Sequence, residues 1–358
     1  MAKVRLGDVA REYKATIKNG AGLPVVGLEH LTPGEITLEH WAVDTENTFT
    51  KGFKKGHMLF GRRRAYLKKA ALAPFDGICS GDITVIEPIP GKINPELLPF
   101  IIQNDLLFDY AVGNSAGSLS PRVKWESLKD YQFELPELEK QDSLVELLKA
   151  AHRAKAAYRQ QITATDELVK SQFIEMFGDP NTAKNTVALT DAFTIRDDLR
   201  KPLNDAVRSQ MHDGELYPYY GANGQVDAIN DYITDYHALC LAEDCGAYGA
   251  GEASAYIVSG KAWINNHAHV LVPKECCDIV YGNEFFRLLD ITKHINGSTR
   301  AKLTQEAMKR LPMLLPPLAE QQRFAAFVEQ SDKSKFELQE AITKIDNLIK
   351  SLIQQDTE

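Results

Sequence analysis

Leu315-Pro316-Pro317-Leu318-Ala319-Glu320-Gln321-Gln322 opens a stretch that decides the reading of this chain, because Leu135-Pro136-Glu137-Leu138-Glu139-Lys140-Gln141 stands 180 residues before it. The register continues without a gap. Residues 135–174 against 315–354 give 11 identities in 40 positions, among them Ile162-Thr163 with Ile342-Thr343, Asp166 with Asp346, Leu168 with Leu348 and Lys170-Ser171 with Lys350-Ser351. Average residue usage gives about two or three by chance. Upstream, Gly117-Ser118 answers Gly297-Ser298, and Val4-Arg5-Leu6-Gly7-Asp8 resembles Val187-Ala188-Leu189-Thr190-Asp191. An internal repeat at this spacing means one plan used twice.

Each copy of the motif leads into a helix. Proline is tolerated in a first turn. Apolar or small residues then recur at three- and four-residue spacing: Leu144, Leu147, Leu148, Ala151, Ala154, Tyr158, Ile162, Leu168 and Val169 in the first copy. In the second the stripe is Phe324, Phe327, Val328, Leu338, Ile342, Ile345, Leu348, Ile349 and Leu352. Gly178-Asp179-Pro180 reads as a stop. About 40 residues at 1.5 Å each make roughly 60 Å, which overhangs a domain of this size. The length favours the two helices packing on each other, antiparallel about a pseudo-two-fold axis. The segments before them read as mixed α/β, with short apolar runs at 24–28, 56–60, 70–73 and 83–86 and again at 238–241, 255–258 and 268–272. Residues 94–110 and 281–289 read as helical. The partition is 1–134, 135–178, 179–313 and 314–358: globular part, helix, globular part, helix, an α+β chain.

With 358 residues, 44% hydrophobic and 25% charged, the chain has a globular composition. It has no apolar run of membrane-spanning length and no apolar signal core at its start, so a cytoplasmic location is expected. Cys79, Cys240, Cys245, Cys276 and Cys277 form no C-x-x-C pair and read as free thiols. No catalytic constellation is legible. A phosphate-binding G-x-x-x-x-G-K-[ST] loop and a G-x-S-x-G elbow are missing. Gly246–Gly251 has the wrong spacing for a dinucleotide loop. Asn265 is not followed by the prolines of an adenine methyltransferase motif. His267-Ala268-His269 could present two imidazoles, but without further ligands at fixed spacing no metal site is assigned.

The net charge of −8 argues against nucleic acid until it is divided along the chain. Residues 1–130 are net +2; every unit of the excess lies later. Lys51, Lys54, Lys55, Arg62, Arg63, Arg64, Lys68 and Lys69 fall within 19 residues that hold no acid, with Tyr66 interleaved. The ordinary reading of such a run is a solvated face; the alternative is a phosphate-contacting stripe whose arginines reach guanine edges. Strand alternation would put Arg62 and Arg64 on one face and Arg63 on the other. The second half offers Tyr219, Tyr220, Asn223, Tyr248, Asn265, Asn266 and His267, suited either to base reading or to turn chemistry. A small polar-basic loop precedes each long helix: Ser118, Ser120, Arg122 and Lys124, then Ser298, Thr299, Arg300 and Lys302, which fits phosphate contact.

The plan resembles the specificity subunit of a type I restriction-modification enzyme. The resemblance rests on Leu-Pro-Pro-Leu-Ala-Glu-Gln-Gln at 315–322 with its weaker copy at 135–141, on Gly61-Arg62-Arg63-Arg64-Ala65-Tyr66-Leu67 with Phe75–Asp82, and on Tyr219–Gly224. It covers nearly the whole chain. The first copy departs from the motif at Glu137. The resemblance implies two target recognition domains, each reading half of a split DNA sequence in double-stranded DNA, with a helical coiled coil fixing the spacer. It implies a chain without catalysis or cofactor of its own. S-adenosylmethionine would belong to two docked modification subunits, and ATP and Mg to restriction subunits. A coiled-coil adaptor that does not touch DNA is the competing reading, motivated by the acidic second half.

Overall fold

A computed structural model describes residues 2–17, 22–43, 47–244, 246–252, 254–295 and 301–354. Two compact units emerge: residues 1–159 with 339–358, and residues 160–338. The boundaries cut the chain differently from the four segments above, because each long helix contributes to both units. These helices are α1 (Leu138–Phe177) and α2 (Leu318–Gln354).

The first unit is built on a four-stranded antiparallel sheet of β1 (Ala10–Glu12), β2 (Met58–Gly61), β3 (Ala70–Leu72) and β4 (Ile83–Pro88), ordered β1-β4-β2-β3. The second carries β5 (Phe193–Ile195), β6 (Ala238–Ala242), β7 (Ala255–Val258) and β8 (Ala268–Pro273), ordered β5-β8-β6-β7 and again antiparallel. The repeat read from the helices is therefore a repeat of whole folds, and the chain is α+β. Each unit is closed by a two-stranded ribbon, Ala2–Arg5 with Gln132–Leu135 in one and Val187–Ala188 with Pro312–Met313 in the other. The units differ in a second sheet. The first has three short strands there, whereas the second has four, including the hairpin Tyr217–Gly221 and Gly224–Ile229. The helix read over 94–110 is broken into Leu98–Ile102 and Asp105–Gly113, because the Asn104 side chain caps the second piece by accepting from the Leu106 N–H.

Within each unit the long helices pack both on the sheet domain and on each other. In the first, Val145 and Leu148 of α1 join the core of Leu6, Met58, Phe60 and Phe108, and Ile349, Leu352 and Ile353 of α2 pack against it. In the second, Asp166 pairs with Lys335 while Phe173 and Phe177 meet Phe324 at 5.4 and 5.6 Å, so the two segments run antiparallel. The first unit carries the same ion pair with the copies exchanged: Lys155 with Asp346 at 2.5 Å. Not all of the stripe is buried. Leu147, Leu168 and Leu348 are exposed. Gly178, at φ +86°, ends α1 in the left-handed conformation that glycine adopts without strain.

The repeated motif has a structural purpose centred on its glutamine. Gln141 is 1% exposed; its Nε2 donates to the Pro136 carbonyl at 2.8 Å, and its Oε1 accepts from the Asn94 N–H at 2.7 Å. Gln321 is fully buried and does the same, donating to Pro316 at 2.7 Å and to Cys276 at 3.0 Å, and accepting from the Asp278 N–H at 2.9 Å. Each glutamine ties the first turn of a long helix to the segment that starts a domain helix. Proline at the motif's second position leaves that carbonyl outside the helix, where only a side chain can satisfy it.

Two predictions follow from this packing. Gln321→Ala leaves the buried Asp278 N–H and two carbonyls unpaired and should cost about 1–3 kcal/mol, read as a lower urea midpoint with unchanged slope. The second concerns half-buried Asp197, whose Oδ2 lies 2.8 Å from His269 Nδ1 and accepts from Gln305 at 2.9 Å. Burial alone would raise its pKa; these hydrogen bonds outweigh burial and hold it at about 2, below the ordinary 3.8. A lowered carboxylate contributes stability above its unfolded pKa and loses it as pH falls through the folded one. About 2 kcal/mol should therefore be present above pH ~4 and disappear towards pH ~2. Acid titration of Asp197→Asn should show lower stability at neutral pH and a flatter acid limb.

Candidate nucleic-acid interface

The eight-cation run does not form one stripe. Lys51 turns inward, donating to the Ile83 carbonyl at 2.8 Å beside Glu12. Lys69 donates to the Leu28 carbonyl at 2.7 Å, and Lys68 pairs with Asp105 at 2.6 Å. These three have internal partners, Lys68 in an ion pair that stays partly exposed. Lys54 and Lys55 are exposed in the turn before β2.

The arginines lie where β2 ends. The Arg62 N–H donates to the Asp82 carbonyl just before β4, and the Arg62 carbonyl accepts from Val123. Arg63 forms an isolated bridge with Arg122. The structure thus brings together two stretches that the sequence kept apart, 62–64 and 118–122. Arg63 donates to Ser120 Oγ at 3.1 Å and sits 3.5 Å from Asp82; Arg122 grips the same carboxylate at 2.7 and 3.3 Å. The Arg122 hydrogen bond holds the Asp82 carboxyl below the ordinary range. Strand alternation does not extend through Arg64, which takes φ +53° and opens a 3-10 turn, so the expected facing of Arg62 with Arg64 is not fixed by a strand. Arg64, Tyr66 and Ser118 are exposed, as is Lys124, and Leu119 between the two serines is 90% exposed.

The corresponding place in the second unit is identified by backbone bonds. Glu243 N–H donates to the His267 carbonyl, Leu303 N–H donates to the Glu243 carbonyl, and Asp244 bridges Lys302. Arg62, Arg63, Asp82 and Arg122 are thereby matched to Glu243, Asp244, His267 and Lys302. The frame is the same, but Arg62 and Arg63 are answered by the acids Glu243 and Asp244, Asp82 by His267, and Arg122 keeps its sign in Lys302. Glu243 takes Lys302 at 2.7 Å and also Arg200. Burial would raise its pKa, but the Lys302 and Arg200 hydrogen bonds bring it below the usual carboxylate range. His267 Nδ1 lies 2.7 Å from Asp244 Oδ1. Among the described residues no three His, Cys, Asp or Glu side chains gather as for a metal ion.

Several candidates in this unit are not surface groups. Tyr219 is 1% exposed, with the Arg208 guanidinium 5.1 Å above its ring, and Tyr248 is 5% exposed in the main core. Both are core residues, since a strand and a loop that read as recognition elements direct these rings inward. Asn265 is also buried and does turn work, its Oδ1 accepting from the His267 N–H at 2.8 Å. Tyr220 is half-buried and stacks on Tyr256. Asn223, at the hairpin tip, and Asn266 are exposed. Ser298, Thr299 and Arg300 lie outside the described residues. Sequence reasoning missed the acids Asp82, Glu243 and Asp244. Their signal was position: charged residues immediately after the buried runs Met58–Gly61 and Ala238–Ala242, or before the run at 83.

The comparisons with known proteins fit this duplicated frame. The family model of the type I restriction modification DNA specificity domain matches residues 1–165 and again 182–347. A Haemophilus influenzae protein described as a type I restriction enzyme specificity subunit is 31% identical over 133 residues, 37% of this chain and 33% of that protein. The EcoDI specificity subunit of Escherichia coli is 28% identical over 93 residues, 26% of this chain and 20% of that one. The chain thus spans a third or less of the length of these curated relatives. Among solved structures, a chain from work on assembly and conformational transition of the type I system overlays with TM-score 0.58 at 18% identity, covering 98% of this chain and 96% of that one. The S subunit of the type I system from M. genitalium overlays at 0.57 with 13% identity, covering 99% and 96%. Matched twice, once in each copy of the repeat, the chain belongs to the type I restriction-modification DNA specificity family.

Proposed function

We propose that this chain is the sequence-recognition subunit of a type I restriction-modification assembly, and that each unit reads one half of a split DNA target. The observation that carries the reading is the pair of matched quartets at the ends of β2 and β6. One backbone frame presents different side chains in the two units, as two different half-sites require. The candidate contact residues are Arg62, Arg64, Tyr66, Ser118, Lys54 and Lys55 in the first unit and Asn223, Asn266, His267 and Lys302 in the second. Recognition needs no catalysis from this chain, and methyl transfer, translocation and cleavage fall to modification and restriction subunits. α1 and α2 would fix the spacer between the half-sites. Among the described residues no helix is long and apolar enough to cross a membrane.

Methylation mapping of cells with and without the gene tests this directly. The expected result is one split motif, modified in both halves and lost with the gene. A gel shift with the complete methyltransferase assembly should favour that motif over random duplex. Equal binding to both, or no binding, would favour the adaptor reading instead.

A further inference from the structure

Unsatisfied donors mark one of the two quartets. In the first unit, Arg62 Nε and Arg63 Nε are buried without a hydrogen-bond acceptor. Buried donors are almost always paired, and an exception asks for an explanation. Asp82 does not supply it for Arg62: its carboxylate is turned to Arg122 and Arg63. Among the described residues no side chain pairs with the Arg62 guanidinium. In the second unit the matched position is Glu243, whose carboxylate is held by Lys302 and Arg200. One site is left short of an acceptor; the other is closed on itself.

We propose that Arg62 is a direct DNA contact of the first unit, with Asp82 as a positioning residue that orients Arg63 and Arg122 beside it, and that the change from Arg62 to Glu243 has removed this contact from the second unit. The chemistry required is an oxygen or nitrogen acceptor able to take a guanidinium: a backbone phosphate or the O6/N7 edge of a guanine. Both are sources of the same acceptor chemistry, and DNA supplies each. The proposal rests on the reading that the first unit meets DNA.

The test uses the complete methyltransferase assembly, duplexes carrying the mapped motif with either half scrambled, and binding measured across 50–200 mM salt. Arg62→Ala removes no internal side-chain partner, so its melting profile should match the parent. If Arg62 grips a phosphate, affinity falls on every duplex and the slope of log K against log salt drops by about one. Arg62→Lys should then restore most of the slope. If Arg62 reads guanine, the loss is about ten- to a hundredfold, confined to one base pair of one half-site. Unchanged affinity and slope, or loss of discrimination in both halves together, overturns the proposal. A parent assembly with no preference for its motif would instead sink the broader reading of the chain.

Discussion

The position of everything else follows from how a proline-opened helix begins. At Pro136 and Pro316 the chain leaves a ribbon strand and enters a helix, and a carbonyl is left with no backbone donor. A buried glutamine supplies the donor and, with its other end, accepts from the N–H at the start of a domain helix. The amide is suited to this because it donates and accepts across a single short side chain. Its replacement by glutamate would place a charge in a core position. The first turn of each long helix is thereby set against its domain, and the residues about two and three turns along, Val145 and Leu148 or Phe324 and Val328, are delivered into the same core. The ion pairs Lys155–Asp346 and Lys335–Asp166 continue the same logic, each a copy of the other with the two halves exchanged. A sequence that must satisfy this contact twice cannot drift independently in its two halves, so the motif stays recognisable where the domains have diverged.

The sheets show what happens when the frame is kept and the chemistry is released. The same three backbone interactions define the strand ends in both units: an N–H to the residue before the neighbouring inner strand, β4 or β8, a carbonyl to the loop before the long helix, and a bridge beside it. Backbone bonds impose no side-chain identity, so the positions they fix are free to vary. In the first unit they hold three arginines around one carboxylate. In the second they hold two carboxylates around a lysine, a histidine and an arginine from elsewhere.

The helices were legible in the sequence because a three- and four-residue period over forty residues, opened by a shared motif, leaves little else to form. The central strands were legible as apolar runs such as Ile83–Ile86 and Ala268–Val272. The pairing of sites was not. The helices align at an offset of 180, whereas the strand ends match Arg62 to Glu243, one residue further, and the loops differ in length. No identity marks the correspondence, since Arg62 and Arg63 are matched by acids and Asp82 by a histidine. Burial was equally hidden: Tyr219 and Tyr220 are neighbours in a strand, and alternation sends the first into the core beneath Arg208. Nor does composition reveal that Lys51 and Lys69 bond inward, because a lysine stem reaches far enough to satisfy a carbonyl on another element, or that Lys68 is paired with Asp105.

That last point bears on what formal charge means here. The second globular part is acidic by count, which taken alone argues against DNA. Yet Asp197 is held by His269 and Gln305, Glu243 by Lys302 and Arg200, and Asp244 sits against His267. These carboxylates are committed to neighbouring donors and project little field. The first part is only mildly basic by count, and three of its eight clustered cations are likewise committed. What remains without an internal partner at the strand ends, the half-buried Arg62 and the exposed Arg64 on one unit and a neutralised network on the other, is a better guide to how each meets a polyanion than the sum of charges over either domain. Affinity for phosphate is set by the cations that lack an internal partner, and those are counted from the structure, residue by residue.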